Sequence, residues 1–140
     1  MNKNRSRKRT RVYAMEIVYQ WMHTKTAVDE LLNRYQEKPA VDMPYLEDLI
    51  QGALSKKTEI EKKLVPFLVD RSLDEVTDIE YAILVVGSYE LMFQYDVPYR
   101  VIINEAINLA KSYGAQDAYR FVNSVLDQVA KQERGLEYRD

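Results

Sequence analysis

Apolar residues in this chain return at spacings of three and four positions rather than alternating, and only four glycines and four prolines punctuate its 140 residues. That spacing is the period of a helix surface, so the chain can bury its apolar side chains only by packing helices on one another. The expected fold class is all-α, with about seven helices in short-looped antiparallel pairs that form two helical subbundles of one compact domain. The last periodic segment is the clearest. Ala118, Phe121, Val122, Val125, Leu126 and Val129 make one stripe, and Arg120, Asn123, Asp127 and Lys131 occupy the opposite face.

Other elements follow from local chemistry. Ile103, Ala106, Ile107 and Ala110 form a second stripe, entered through Pro98 and closed by Gly114, whose tolerance of positive φ suits a helix C-terminus. Thr77 followed by Glu80 has the form of a capping box, with Ile79, Ala82, Ile83, Val86 and Phe93 as the buried face behind it. Gly87 inside that helix is expected to allow close packing. Earlier segments run from Val12 to Met22, from a Thr26 cap to about Gln36, from Asp42 and Pro44 onward, and from about Lys56 to Val69. The segment Glu37 to Pro44 is the expected larger loop between the subbundles.

Charge is segregated along this helical chain. The first eleven residues hold Lys3, Arg5, Arg7, Lys8, Arg9 and Arg11 and no acid, which leaves 14 basic against 22 acidic residues beyond them, a net of −8. A polyanion is drawn to one end only, since the remainder repels phosphate within a Debye length of about 8 Å at physiological salt. Terminal Lys/Arg clusters are often solvated tails, but if the first helix extends backwards, Lys3, Arg7 and Arg11 fall at i, i+4 and i+8 as a cationic stripe. Tyr13 and Tyr19 come next and could stack on unpaired bases, which favours single-stranded RNA over a duplex groove. Six phosphate contacts at a single-strand slope of about −0.7 each would lower affinity by a few hundredfold between 50 and 200 mM salt.

Eleven tyrosines against three phenylalanines is an unusual bias. Most, such as Tyr45, Tyr81 and Tyr89, are expected at core edges with the hydroxyl reaching water. There is no cysteine, which excludes disulfides, thiolate zinc sites and cysteine nucleophiles and suits a reducing cytoplasm. No apolar run is long enough for a signal peptide or a membrane span. His23 is the single histidine, without the spacing of a metal site or triad, and the paired carboxylates lack a nucleophile, lysine or phosphate loop beside them. No catalytic residue, metal site or cofactor is therefore expected.

Residues 96 to 127 read DVPYRVIINEAINLAKSYGAQDAYRFVNSVLD, and this stretch closely resembles the C-terminal signature of the NusB family of bacterial transcription antitermination factors. Pro98, Tyr99, Ile103, Asn104, Glu105, Ala106, Ala110, Lys111, Gly114, Phe121, Val122, Asn123, Val125, Leu126 and Asp127 all fit its pattern. The basic arm, Ala14, Tyr19-Gln20-Trp21 and Tyr89-Glu90-Leu91 fit as well, so the likeness spans essentially the whole chain. The resemblance implies a non-catalytic RNA-binding domain over 1–140, with residues 1–11 as a basic arm and 134–140 as a flexible tail. It implies recognition of boxA RNA from ribosomal RNA operons jointly with NusE, a small-subunit ribosomal protein, within the RNA polymerase antitermination complex. A cytoplasmic location and a monomer or homodimer come with it.

By the same resemblance Arg7, Lys8, Arg9 and Arg11 would contact RNA, with Tyr19, Asp117 and Phe121 on or beside that surface and Glu80 on the NusE-facing side. The residues alone make Asp117 a first-turn carboxylate stabilised by its helix N-terminus. Two positions depart from the family pattern: many relatives carry arginine where this chain has Val85 and glycine where it has Ser124. Loss of that cation is expected to remove one polar contact with RNA or partner. The same fold occurs as the N-terminal domain of a ribosomal RNA cytosine methyltransferase, which needs a further α/β domain with a glycine-rich cofactor loop, and none is expected here. A helical interaction module whose arm serves solubility is the third alternative.

Overall fold

Thr77 starts the helix on which the rest of the molecule is built. Its hydroxyl accepts from the Glu80 backbone N–H at 3.2 Å, and the Glu80 carboxylate accepts from the Thr77 N–H at 3.0 Å, so the expected capping box closes in both directions. The helix it opens, Asp78–Phe93, is apolar around nearly its whole circumference, and 13 of its residues are buried. A helix of that composition belongs in the centre of a fold. In the computed structural model, which describes residues 3–138, it does sit there.

The helices are α1 (Lys3–His23), α2 (Val28–Asn33), α3 (Met43–Ser55), α4 (Lys57–Leu64), α5 (Asp78–Phe93), α6 (Tyr99–Tyr113), α7 (Ala118–Glu133) and α8 (Gly135–Tyr138). Single 3₁₀ turns at Val65–Phe67 and Leu73–Glu75 link α4 to α5. Helices α1 to α3 pack on one another and α5 to α7 on one another, with α4 against α5 and α7 as well as α3, and α1 and α3 laid against α5 to join the two groups; Glu37 to Pro44, expected between the subbundles, instead connects α2 to α3 within the first. The fold is all-α as expected, with one helix more than the periodicity suggested, because α8 is a single turn too short to carry a pattern.

Three local expectations are corrected. Thr26 does not cap α2: Ala27 occupies that position and no side chain bonds the free N–H groups there. Gly114 closes α6 with φ −87° and so needs no left-handed freedom; it is required for space, since a Cβ would lie 2.8 Å from the Ala110 carbonyl oxygen and 3.0 Å from the Ala118 Cβ. The stretch from 134, expected as a flexible tail, is tied to the body as far as Tyr138, and residues 139 and 140 lie outside the described residues. Arg134 is buried and donates to the carbonyls of Leu91 (2.8 Å), Val97 (3.0 Å) and Gln94 (2.9 Å). Glu137, bridged to Arg134 at 2.7 Å, accepts the Tyr99 backbone N–H at 2.9 Å and so caps α6, which Pro98 cannot do for itself. Gly87 behaves as expected, since a Cβ there would stand 3.0 Å from Leu126 of α7.

The tyrosines also differ from expectation. Tyr45, Tyr81 and Tyr89 are buried at core edges, but their hydroxyls donate to the carboxylates of Glu90, Glu61 and Asp48 rather than reaching water. Burial and the facing carboxylates push all three phenols up.

Candidate nucleic-acid interface

The basic arm is helical from Lys3 and continuous with α1. Two hydroxyls fasten it to the loop before α3: Ser6 donates to the Ala40 carbonyl at 3.0 Å, and Thr10 accepts from the Asp42 N–H at 2.9 Å. At 100° per residue, Arg7, Arg11, Ala14 and Val18 follow spacings of four, three and four and share the face that turns inward. Arg5, Arg9, Glu16, Tyr19 and His23 lie within an arc of about 80° on the outer face, with Lys8 on its flank.

Arg11, expected to contact RNA, is instead turned inward and buried. Its guanidinium, 5% exposed, grips both oxygens of Glu90 on α5 (2.9 Å and 2.8 Å), and Tyr45 of α3 donates to the same carboxylate at 2.5 Å. Burial would lower the Arg11 pKa, but Glu90 outweighs it and the group is held well above its usual value. Such a triad locks α1, α3 and α5 together, and a charge so enclosed has no surface to offer a phosphate. Arg7 lies between the two regimes. Its guanidinium rests 4.1 Å over the Tyr45 ring and 3.8 Å from Asp96, with 17% of the side chain exposed. It borders an open cleft of about 510 Å³ between α1 and the start of α6, lined also by Lys3, Arg5, Lys8, Asp96 and Glu105. Lys8 and Arg9 are exposed, as the sequence suggested, and so are Lys3 and Arg5.

Tyr13 is also withdrawn from the interface. It is 2% exposed, with its hydroxyl donating to the Pro39 carbonyl at 2.7 Å, and it supports Arg9 instead, whose Nε donates to it at 3.2 Å. That bond raises the Arg9 pKa and fixes the guanidinium at the surface. Tyr19 is 39% exposed and packs on His23 with ring centres 4.5 Å apart, while His23 faces Asp78 at 2.6 Å. Tyr113, at the end of α6 and 45% exposed, lines the same shallow cleft as Tyr19, an aromatic that the sequence reading passed over.

The arrangement is a basic helix face leading to exposed aromatic rings on an acidic body, and its fold has relatives. The NusB family model matches residues 8–131. The chain is 43% identical over 126 residues to the transcription antitermination protein NusB of Shewanella amazonensis, covering 88% of this chain and 93% of that one. It is 39% identical over 135 residues to the NusB of Alcanivorax borkumensis, covering 94% and 89%. The chain belongs to the NusB family. Among solved structures, T. maritima NusB superposes with a TM-score of 0.84 at 26% identity, covering 96% of this chain and 97% of that one. A structure of the antitermination factors NusB and NusE in complex with double-stranded RNA gives 0.81 at 25% identity, covering 91% and 98%.

Within this NusB fold the remaining candidates separate. Asp117 is exposed and stands at the N-cap of α7 in a left-handed conformation, φ 71°. It precedes the first turn rather than sitting in it, and its carboxylate makes no cap bond but lies 3.7 Å from Arg120. Phe121 is half-buried, with the Arg71 guanidinium 4.0 Å over its ring. Glu80 is 6% exposed, held by the capping box and by Arg71 at 2.8 Å, so the carboxylate expected to face a partner is instead structural. Val85 is fully buried in α5, so an apolar residue there removes no surface contact, contrary to expectation. Ser124 is exposed on α7, where a side chain is tolerated. Among the described residues no group of three His, Asp or Glu side chains could hold a metal ion, and no helix is long and apolar enough to cross a membrane.

Proposed function

We propose that this NusB-family chain is a non-catalytic transcription antitermination factor that binds boxA-like single-stranded RNA of ribosomal RNA operons together with NusE, in the cytoplasm and within an RNA polymerase complex. The whole chain acts as one RNA-binding domain. The observation that carries the reading is the exposed cationic face of α1, Arg5, Lys8 and Arg9 flanked by Lys3 and Arg7, on a body whose net charge is −8. Phosphates engage that face, Tyr19 on the same helix and Phe121 on α7 offer rings to unpaired bases, and Asp117 stands four residues before Phe121. The relatives named as antitermination proteins support the antitermination role, and the solved NusB–NusE assembly on double-stranded RNA supports binding of RNA together with NusE.

Scaffolding suits the geometry. Phosphate contacts supply attraction without sequence preference, base contacts supply selectivity, and a protein partner enlarges an interface that is small by itself. The test is fluorescence anisotropy with a boxA oligonucleotide and a scrambled control, across a salt series, with and without NusE. Preference for boxA that NusE strengthens is the expected result. Equal, weak binding to both RNAs regardless of NusE would reduce the chain to a helical interaction module. Equal competition by a duplex of the same sequence would move recognition from bases to backbone.

A further inference from the structure

Outside the basic cleft, an apolar hollow lies between the middle of α1, the end of α6 and the first turn of α5. It measures about 250 Å³ and is lined by Met15, Glu16, Tyr19, Tyr35, Ile79 and Tyr113. That is below the 300 Å³ or so of a pocket for a drug-sized ligand, and suits one planar ring system. Two of its lining residues are tyrosines 39% and 45% exposed, large apolar surfaces left in water. Its polar side chains are Glu16 and Gln20, and the Glu16 Oε1 accepts the Tyr35 hydroxyl at 3.0 Å. Gln20 donates to the same hydroxyl at 2.8 Å, so the phenol is held on both sides and the carboxylate is oriented toward the hollow's rim. Burial and then Glu16 push the Tyr35 phenol up to about 12, which keeps it a donor.

We infer that this hollow is a base-recognition pocket in which one unpaired base of the bound RNA is inserted between Tyr19 and Tyr113, with Glu16 selecting guanine. The occupant follows from complementarity. Arg9 lies two turns before Glu16 on the same face of α1, with Arg5 one turn further, so a strand whose phosphates follow those cations delivers its next bases to the slot. Aromatic walls stack on any base; a carboxylate accepts best from an edge that presents two adjacent donors, which among the four bases is the N1–H and N2–H edge of guanine. Each carboxylate oxygen has two lone pairs, so the bond from Tyr35 does not exhaust Oε1. A peptide strand would find no ladder of backbone partners in this slot, and the cations at its entrance favour a polyanion.

The inference rests on the RNA-binding reading, and the experiment separates the two. Wild type, Tyr113→Leu, Tyr113→Phe and Glu16→Gln are titrated in the presence of NusE with boxA-type RNAs that differ only by guanine or uracil at each position in turn. Tyr113→Leu is expected to weaken binding about tenfold, in the range for loss of one stacked base, with the salt slope unchanged because no phosphate contact is lost. Tyr113→Phe should bind like wild type. Glu16→Gln should erase a guanine preference that wild type shows at one position. If wild type binds boxA but Tyr113→Leu binds equally well, or loses only NusE affinity, the pocket assignment is overturned while the RNA-binding reading stands. If wild type binds no RNA, both fall. Unchanged melting of each variant guards against a folding defect.

Discussion

Arg7, Lys8, Arg9 and Arg11 look interchangeable in a list of basic residues, but the structure gives them three different physical situations. Arg11 neutralises a buried carboxylate, Arg7 lies along a tyrosine ring, and Lys8 and Arg9 stand in water. Removing one partner of a buried pair leaves an uncompensated charge, so Arg11→Ala should destabilise the fold by about 3 to 5 kcal/mol. Lys8→Ala and Arg9→Ala should stay within about 0.5 kcal/mol of wild type in stability while each lowers the RNA salt slope by about 0.7. Urea melts and salt-series anisotropy on the three single variants check this. A combined replacement of all four would mix folding with binding and decide nothing. Phe121 makes a similar contrast. Half-buried under Arg71, it should cost about 1 to 2 kcal/mol on change to alanine, below the roughly 3 to 5 of a fully buried ring.

At the scale of elements, the ends of helices carry the information that periodicity lacks. The start of α5 depends on Thr77, Glu80 and Arg71 together. Burial works to raise the Glu80 carboxyl, but the Arg71 hydrogen bond and the Thr77 N–H outweigh it and hold it below the ordinary carboxylate range. A folded-state pKa below the unfolded value means that this stability is present above about pH 4.3 and is lost as pH falls through the folded value. Glu80→Gln should therefore flatten the acid limb of a stability–pH curve below that point, and Thr77→Ala should cost about 1 kcal/mol at all pH values. Gly52 belongs to the same scale. A Cβ on it would collide with the Tyr89 ring, so Gly52→Ala should force α3 and α5 apart and lower the melting temperature, measured by calorimetry.

Over the whole molecule, the separation of charge between one helix face and the body sets how RNA is met. With Arg11 enclosed and Arg7 partly so, about four cations remain to meet phosphates, and affinity should fall about fiftyfold between 50 and 200 mM salt instead of a few hundredfold. A log–log slope near −3 in anisotropy titrations is the expected result. Deleting the arm outright would also remove the Ser6 and Thr10 fastenings and the Arg11–Glu90 bridge, so it tests stability together with binding. Point variants on the outer face isolate the electrostatics.

The sequence by itself determined that this chain folds as helices, where most of them start, and that its positive charge is gathered at one end. Those properties depend on residues three or four apart, or on composition, and are local. It even held the signal that Arg7 and Arg11 point inward, since both lie on the face that continues through Ala14 and Val18. Which side of α1 meets water, however, depends on where α3 and α5 press against it, and that is decided between residues 32 to 79 positions apart. Only the tertiary structure could turn Arg11, Tyr13 and Glu80 from candidate ligands into internal supports, and bring Tyr113 from the end of α6 into the same hollow as Tyr19. A buried charge is stable only beside its partner, and sequence spacing does not say which partner that is.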